Sequence, residues 1–191
     1  MKTIFSFILL MFISCQSLAA DIEEPEWQLV GTLGDVQLRL YSPSIEARTL
    51  LADSSETSGG FRRLAGFIFG GNDREQEIAM TAPVQETLQD AEPTMAFTLP
   101  SEYAMTALPM PKDDRVVIVD VPERTLAVLE FSGWATQGKI NKYSKKLLTT
   151  LEENGIRPVA GTVLNQYNPP WTLPFLRRNE ISVQIPAMSL R

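Results

Sequence analysis

Histidine is absent from the 191 residues, and this excludes more chemistry than any motif in the chain. Ser-His-Asp and Cys-His catalysis need an imidazole, as does histidine ligation of zinc or iron. Cysteine is almost as scarce. Cys15 is the single one and stands close to the N-terminus, so the rest of the chain has no disulfide, no thiolate nucleophile and no cysteine metal ligand. Positive charge is also short, with 17 Lys+Arg against 23 Asp+Glu and a formal net charge of −6. That balance argues against nucleic acid, whose binding is dominated by basic contacts to phosphate. Beyond residue 20 no apolar run is long enough to span a bilayer as a helix.

The first twenty residues read as a segment apart from the fold. Lys2 is their only charge, and Ile4 to Ile13 is almost wholly apolar, the pattern of a secretory h-region. Ser17-Leu18-Ala19 offers small residues where a signal peptidase needs them, so residues 1–20 are expected to be cleaved and 21–191 to form a single domain. The expected location is the periplasm. Phe12-Ile13-Ser14-Cys15 is also a loose lipobox, and lipidation at Cys15 would anchor the protein to a membrane. Both routes stay open from the sequence.

The remaining chain repeats an order of elements. Val36 to Tyr41 alternates as a half-buried strand, Ser42-Pro43-Ser44 turns it, and Ile45 to Leu51 reads as the returning strand. A helical apolar pattern runs from Phe61 to Phe69 and stops at Gly70-Gly71-Asn72, residues suited to the left-handed conformation past a helix end. Strand-like Glu77 to Thr81 and Thr94 to Leu99 follow. The second half has Arg115 to Val121, a turn at Pro122, Thr125 to Phe131 and a helix from about Gln137 to Asn154. Thr136 is its expected N-cap and Gly155 lies past its end. Ile140, Tyr143, Leu147, Leu148 and Leu151 form its apolar stripe. Pro158 to Tyr167 and Glu180 to Ile185 close the unit. Tyr41 and Val121, like Leu51 and Phe131, are separated by 80 positions. Two β-β-α-β-β halves are therefore expected, as an α+β fold.

Several short segments fall on these elements in order. They are Gly66 to Val84 (GFIFGGNDREQEIAMTAPV), Phe97-Thr98-Leu99-Pro100, Pro109-Met110-Pro111-Lys112-Asp113 and Phe131-Ser132-Gly133-Trp134. Last come Tyr167-Asn168-Pro169-Pro170 and Arg177-Arg178-Asn179-Glu180-Ile181. Together they resemble the SOUL heme-binding family, here a bacterial, exported member. The resemblance implies a distorted eight-stranded antiparallel barrel with two helices and pseudo-twofold symmetry, a build shared by the ligand-binding domains of gyrase-inhibitor-like regulators. It also implies a heme groove between the first helix and the late loop.

The first helix adds an observation of its own. With about 100° per residue, Phe61, Leu64, Phe67 and Ile68 fall in an apolar sector about 200° wide, whereas a helix resting on a sheet needs about 100°. Arg62 and Arg63 flank the sector, where cations could meet heme propionates. Met80 and the late-loop residues Tyr167, Pro170, Phe175 and Arg177 complete the candidate contacts that the resemblance implies. Trp134 is expected to anchor the second helix on the sheet. Heme cannot be histidine-ligated here, so an axial ligand would be Met80 or Tyr167. A non-enzymatic carrier or buffer of heme or another tetrapyrrole is the leading expectation. The alternatives are another flat amphipathic ligand or a hydrophobic peptide in the same fold. An activity on a bound tetrapyrrole would need an acid such as Glu77 or Glu180 beside the ring.

Overall fold

A computed structural model of the chain describes residues 22–87 and 92–187; the expectations for residues 1–20 and for Cys15 lie outside the described residues. The elements in chain order are β1 (Trp27–Leu33), β2 (Val36–Tyr41), β3 (Ser44–Leu50), α1 (Thr57–Ile68), β4 (Val84–Thr87) and β5 (Thr94–Thr98). Then follow β6 (Val116–Val121), β7 (Arg124–Phe131), α2 (Gln137–Glu153), β8 (Val163–Gln166) and β9 (Asn179–Ile185). All pairings are antiparallel, and the strands curl as one nine-stranded half-barrel in the order β1-β2-β7-β9-β8-β4-β5-β3-β6. The α+β class and the duplicated halves agree with the sequence. The expected eight strands gain β1, an edge strand on β2, whose largely exposed residues gave no alternating signal.

The expected hairpins do not form. β2 pairs with β7 of the second half, and β3 pairs with β6, so the halves exchange their first strands. Starts of corresponding elements are 80 positions apart: Val36 and Val116, Ser44 and Arg124, Thr57 and Gln137. At the centre β4 pairs with β8 with Gln85 opposite Asn165, again 80 positions apart, which marks the pseudo-twofold axis.

Glu77 to Thr81 is not a strand. Gly70 takes a positive φ of 94°, a conformation that glycine adopts without a Cβ penalty. The chain then folds back over the helix end, with Ile78 N–H donating to Ile68 C=O at 2.8 Å. Buried Asn72 fixes this turn. Its side-chain amide donates to the carbonyls of Phe67 and Gln76, and its oxygen accepts from the backbone N–H groups of Arg74 and Gln76. Ile78 is buried, while Ala79 and Met80 are exposed. The strand starts only after Pro83, at Val84.

Both helices cover the same side of the sheet, each over its own core. Ile140, Leu147 and Leu151 of α2 meet Leu38, Ala127, Leu129, Ile181 and Val183. Thr136 accepts from Lys139 N–H as the N-cap and Gly155 has a positive φ of 70°, as expected. Leu148 is exposed instead of buried, and Ser144 takes the inward position, where its hydroxyl meets Thr162. Trp134 does not anchor this helix. That role falls to Tyr143, stacked on Phe131 with ring centroids 4.5 Å apart, while Trp134 is exposed beneath the Arg177 guanidinium.

The opposite, inner face of the half-barrel is polar yet buried. Arg39 pairs with Glu180 at 3.0 Å, and Arg124 pairs with Glu46 at 2.9 Å. Strand alternation fixes this division, because successive side chains point to opposite faces.

Candidate functional site

The helix start of α1 lies close to the sheet. A Cβ on Gly60 would stand 2.4 Å from Leu51 Cδ2 and 3.5 Å from Met95 Sδ, so glycine permits the approach. Beside it a groove of about 550 Å³ opens between α1 and the chain that leaves β8. Thr57, Ser58, Phe61 and Arg62 form one wall, as residues three and four apart share a helix face. Asn168, Pro170 and Arg177 form the other wall, and Val84, Glu86, Met95 and Gln166 form the floor. Glu86 is the cross-strand neighbour of Met95.

Charge is arranged unevenly here. Arg62 Nε donates to Ser58 C=O, and Arg177 donates to the carbonyls of Thr172 and Pro170 while its guanidinium lies 3.9 Å from the Trp134 ring centroid. Neither has a carboxylate partner among the described residues. Glu86, 5 % exposed, is also without a cationic partner among the described residues. It accepts a 2.7 Å hydrogen bond from Gln166 Nε2. Burial pushes the Glu86 carboxyl above its ordinary range, and the Gln166 bond opposes that only in part.

The other hollows differ in kind. The one between β3 and β6 presents Arg48, Arg63 and Arg115, but these pair with Glu46 at 2.8 Å, Glu56 at 2.6 Å and Asp113 at 2.6 Å. Another, of about 270 Å³, lies under the segment Glu23–Glu26 and is bordered by acidic side chains.

Of the candidate residues, the groove brings together Phe61, Arg62, Pro170 and Arg177. Leu64, Phe67 and Ile68 belong to the α1 core with Leu99, Leu108 and Ile78. The wide apolar sector is therefore largely covered by the returning turn and the 99–111 connector, and Phe61 is the aromatic left at the groove. Arg63 points to the other flank, donating to Thr49 Oγ1, Leu50 C=O and Glu56. Met80 and Phe175 are exposed and do not line the groove. Tyr167 faces the inner side of the half-barrel, one residue out of phase with Gln166. Its hydroxyl donates to Glu180 at 2.8 Å, and burial and the Glu180 charge push its pKa upward. A phenol so held is a poor source of phenolate. Glu77 is exposed, and Glu180 is committed to Arg39 on the inner face. Glu86, Met95, Val84 and Gln166 were not singled out in the sequence. Met95 and Gln166 fell on expected strands without being marked as contacts, and Val84 and Glu86 carried only the alternation within a four-residue strand.

The fold has counterparts among known proteins. The family model "SOUL heme-binding protein" matches residues 22–184. Heme-binding protein 2 of Mus musculus is 28 % identical over 148 residues, covering 70 % of this chain and 72 % of that protein. Heme-binding protein 2 of Homo sapiens is 28 % identical over 151 residues, covering 72 % and 73 %. Among solved structures, the EcmrR C-terminal domain superposes with a TM-score of 0.62 at 12 % identity, over 85 % of this chain and 99 % of that one. A hydrolase from Listeria innocua gives 0.53 at 11 % identity, over 80 % and 92 %. These two likenesses concern the fold alone. The family match runs from before β1 to within β9, and on that span the chain belongs to the SOUL heme-binding protein family.

Proposed function

We propose that the chain binds heme in the groove beside α1 and acts as an exported, non-enzymatic carrier or buffer. One observation carries this reading. Apolar side chains and two guanidiniums that have no carboxylate partner among the described residues line the same hollow of about 550 Å³, within the range of small-molecule sites. Phe61, Val84 and Pro170 offer surface to a flat macrocycle, and Arg62 and Arg177 stand where propionates need cations. Bound heme would supply a ferric or ferrous iron; the chain supplies the walls, the rim charge and the exclusion of water. With no histidine in the sequence, any donor to the iron would be another side chain or water, which favours exchange over oxygen chemistry. The apolar Ile4–Ile13 segment supports export, with membrane attachment through Cys15 as the alternative.

A second reading keeps the groove but gives it another flat amphipathic molecule or a hydrophobic peptide. It is favoured by Trp171, Leu173, Phe175 and Leu176, four exposed apolar side chains next to the groove wall. Titration of the mature protein with hemin decides between them, and one hemin per chain is expected. Arg62→Ala should weaken hemin by roughly 1 kcal/mol, about fivefold, and leave hemin dimethyl ester unaffected. Equal weakening of both ligands would remove the rim role of Arg62. No saturable hemin binding would leave the second reading.

A further inference from the structure

The groove floor holds two side chains with metal-donor atoms, the carboxyl of Glu86 and the thioether of Met95, and their positions are directly opposite each other on β4 and β5. Met95 is almost fully buried against the sheet-facing side of α1, its sulfur near Gly60. Glu86 differs from the other buried carboxylates. Glu46 is paired with Arg48 and Arg124, and Glu180 with Arg39, so each has a countercharge. A buried carboxyl without a cationic partner is costly when ionised, and this one is retained at the bottom of a ligand-sized hollow. The rim above it is cationic. A ligand that satisfies both must be anionic at its edge and cationic at its centre. An iron(III) porphyrin with free propionates has that distribution, whereas a metal-free porphyrin lacks the central cation.

We propose that Glu86 supplies an oxygen ligand to the ferric iron of a porphyrin bound in the groove. The inference rests on the heme reading above and deepens it. In such a complex one carboxylate oxygen of Glu86 would take the place of a water on the iron, and any proton carried by the carboxyl would pass to solvent. Ferric iron is a hard cation and oxygen is the harder of the two donors on the floor. Gln166 holds the other end of the interaction, donating to the Glu86 carboxyl at 2.7 Å and so orienting the ligand.

The test uses the full mature chain with hemin and with metal-free protoporphyrin IX, followed by absorption and electron paramagnetic resonance spectra. Glu86→Gln should change the ferric spectrum and weaken hemin about 10–100-fold, the scale of losing even an outer partner of a metal ligand. Metal-free protoporphyrin should bind this variant as it binds the parent. Met95→Leu should leave the ferric spectrum unchanged. Thermal unfolding of each variant shows that the fold is intact, and Glu86→Asp serves as a second variant that keeps the charge but withdraws the oxygen. An unchanged hemin spectrum and affinity in Glu86→Gln would overturn the proposal while the groove reading stands. A spectrum altered by Met95→Leu but not by Glu86→Gln would assign the thioether instead. Failure of the parent to bind hemin would overturn both.

Discussion

Two phenylalanines on one helix separate folding from binding. Phe67 is 2 % exposed and packs among Leu64, Phe97, Leu99 and Leu108, whereas Phe61 is 38 % exposed and meets Phe97 edge-on at a centroid distance of 5.4 Å. Truncation of Phe67 to Ala should cost about 3–5 kcal/mol of stability. Truncation of Phe61 should cost less, about 1–2 kcal/mol, from a partial burial and one aromatic pair. For a ligand the order reverses. If a phenylalanine presents about 200 Å² in all, the exposed fraction of Phe61 leaves about 75 Å² for a macrocycle to cover. At about 25 cal/mol per Å² that area contributes at most about 2 kcal/mol, so Phe61→Ala should raise the hemin dissociation constant by up to about 25-fold. Phe67 leaves almost no area to cover. The assay is hemin titration of both variants at a temperature where urea melts show each at least nine-tenths folded. Selective loss of hemin affinity in Phe67→Ala, or unchanged affinity in Phe61→Ala, would refute the division of the helix into a core face and a groove face.

The buried Arg39–Glu180 pair should behave in the opposite way to the groove residues. Glu180→Gln leaves Arg39 without its countercharge, with an expected loss of about 3–5 kcal/mol by urea unfolding and no change in hemin affinity of the folded fraction. Glu86 should make stability fall with pH. Its folded pKa is raised by burial, so its contribution is full below the ordinary carboxylate value of about 4.3 and is lost as pH rises through the folded value. Glu86→Gln should flatten that part of the profile, and an unchanged pH slope would show that Glu86 ionises without cost.

Much of the fold was legible because it is local. The cap at Thr136, the stop at Gly155 and the left-handed Gly70 follow from residue type, and β2, β6, β7 and β9 follow from alternating or β-branched runs. Pairing was not legible. Alternation says that Ile45 to Leu51 is extended, but not that it lies beside Val116–Val121 instead of Val36–Tyr41. The short β4 was hidden because Gln85 and Glu86 look like surface residues, and only the sheet places one on each face. The same limit applied to the site. Phe61, Arg62, Pro170 and Arg177 stood out from an apolar sector and from motifs, whereas Glu86 and Met95 reach the groove through strand register alone. Tyr167 shows the cost of a single step in phase, since its neighbour Gln166 lines the groove and its own ring lies on the inner face beneath the Arg178 guanidinium, 3.4 Å from the ring centroid.

The duplication also explains why the groove is one-sided. The pseudo-twofold axis passes through Gln85 and Asn165 and relates Glu86 to Gln166, which meet through their 2.7 Å hydrogen bond. The groove floor thus sits where the halves join, and either helix could have walled it. The positions matching Phe61 and Arg62 on α2, 80 residues on, are Asn141 and Lys142, both exposed. An apolar wall is replaced there by a polar one, so a macrocycle would find no area to bury on that side. At the axis itself the related pair is Glu and Gln, not two carboxylates. Two acids meeting in a buried place would repel and one would stay protonated, whereas an amide donates a hydrogen bond to its partner. The scaffold is symmetric and its centre is not, with one acidic side chain held by one neutral mate.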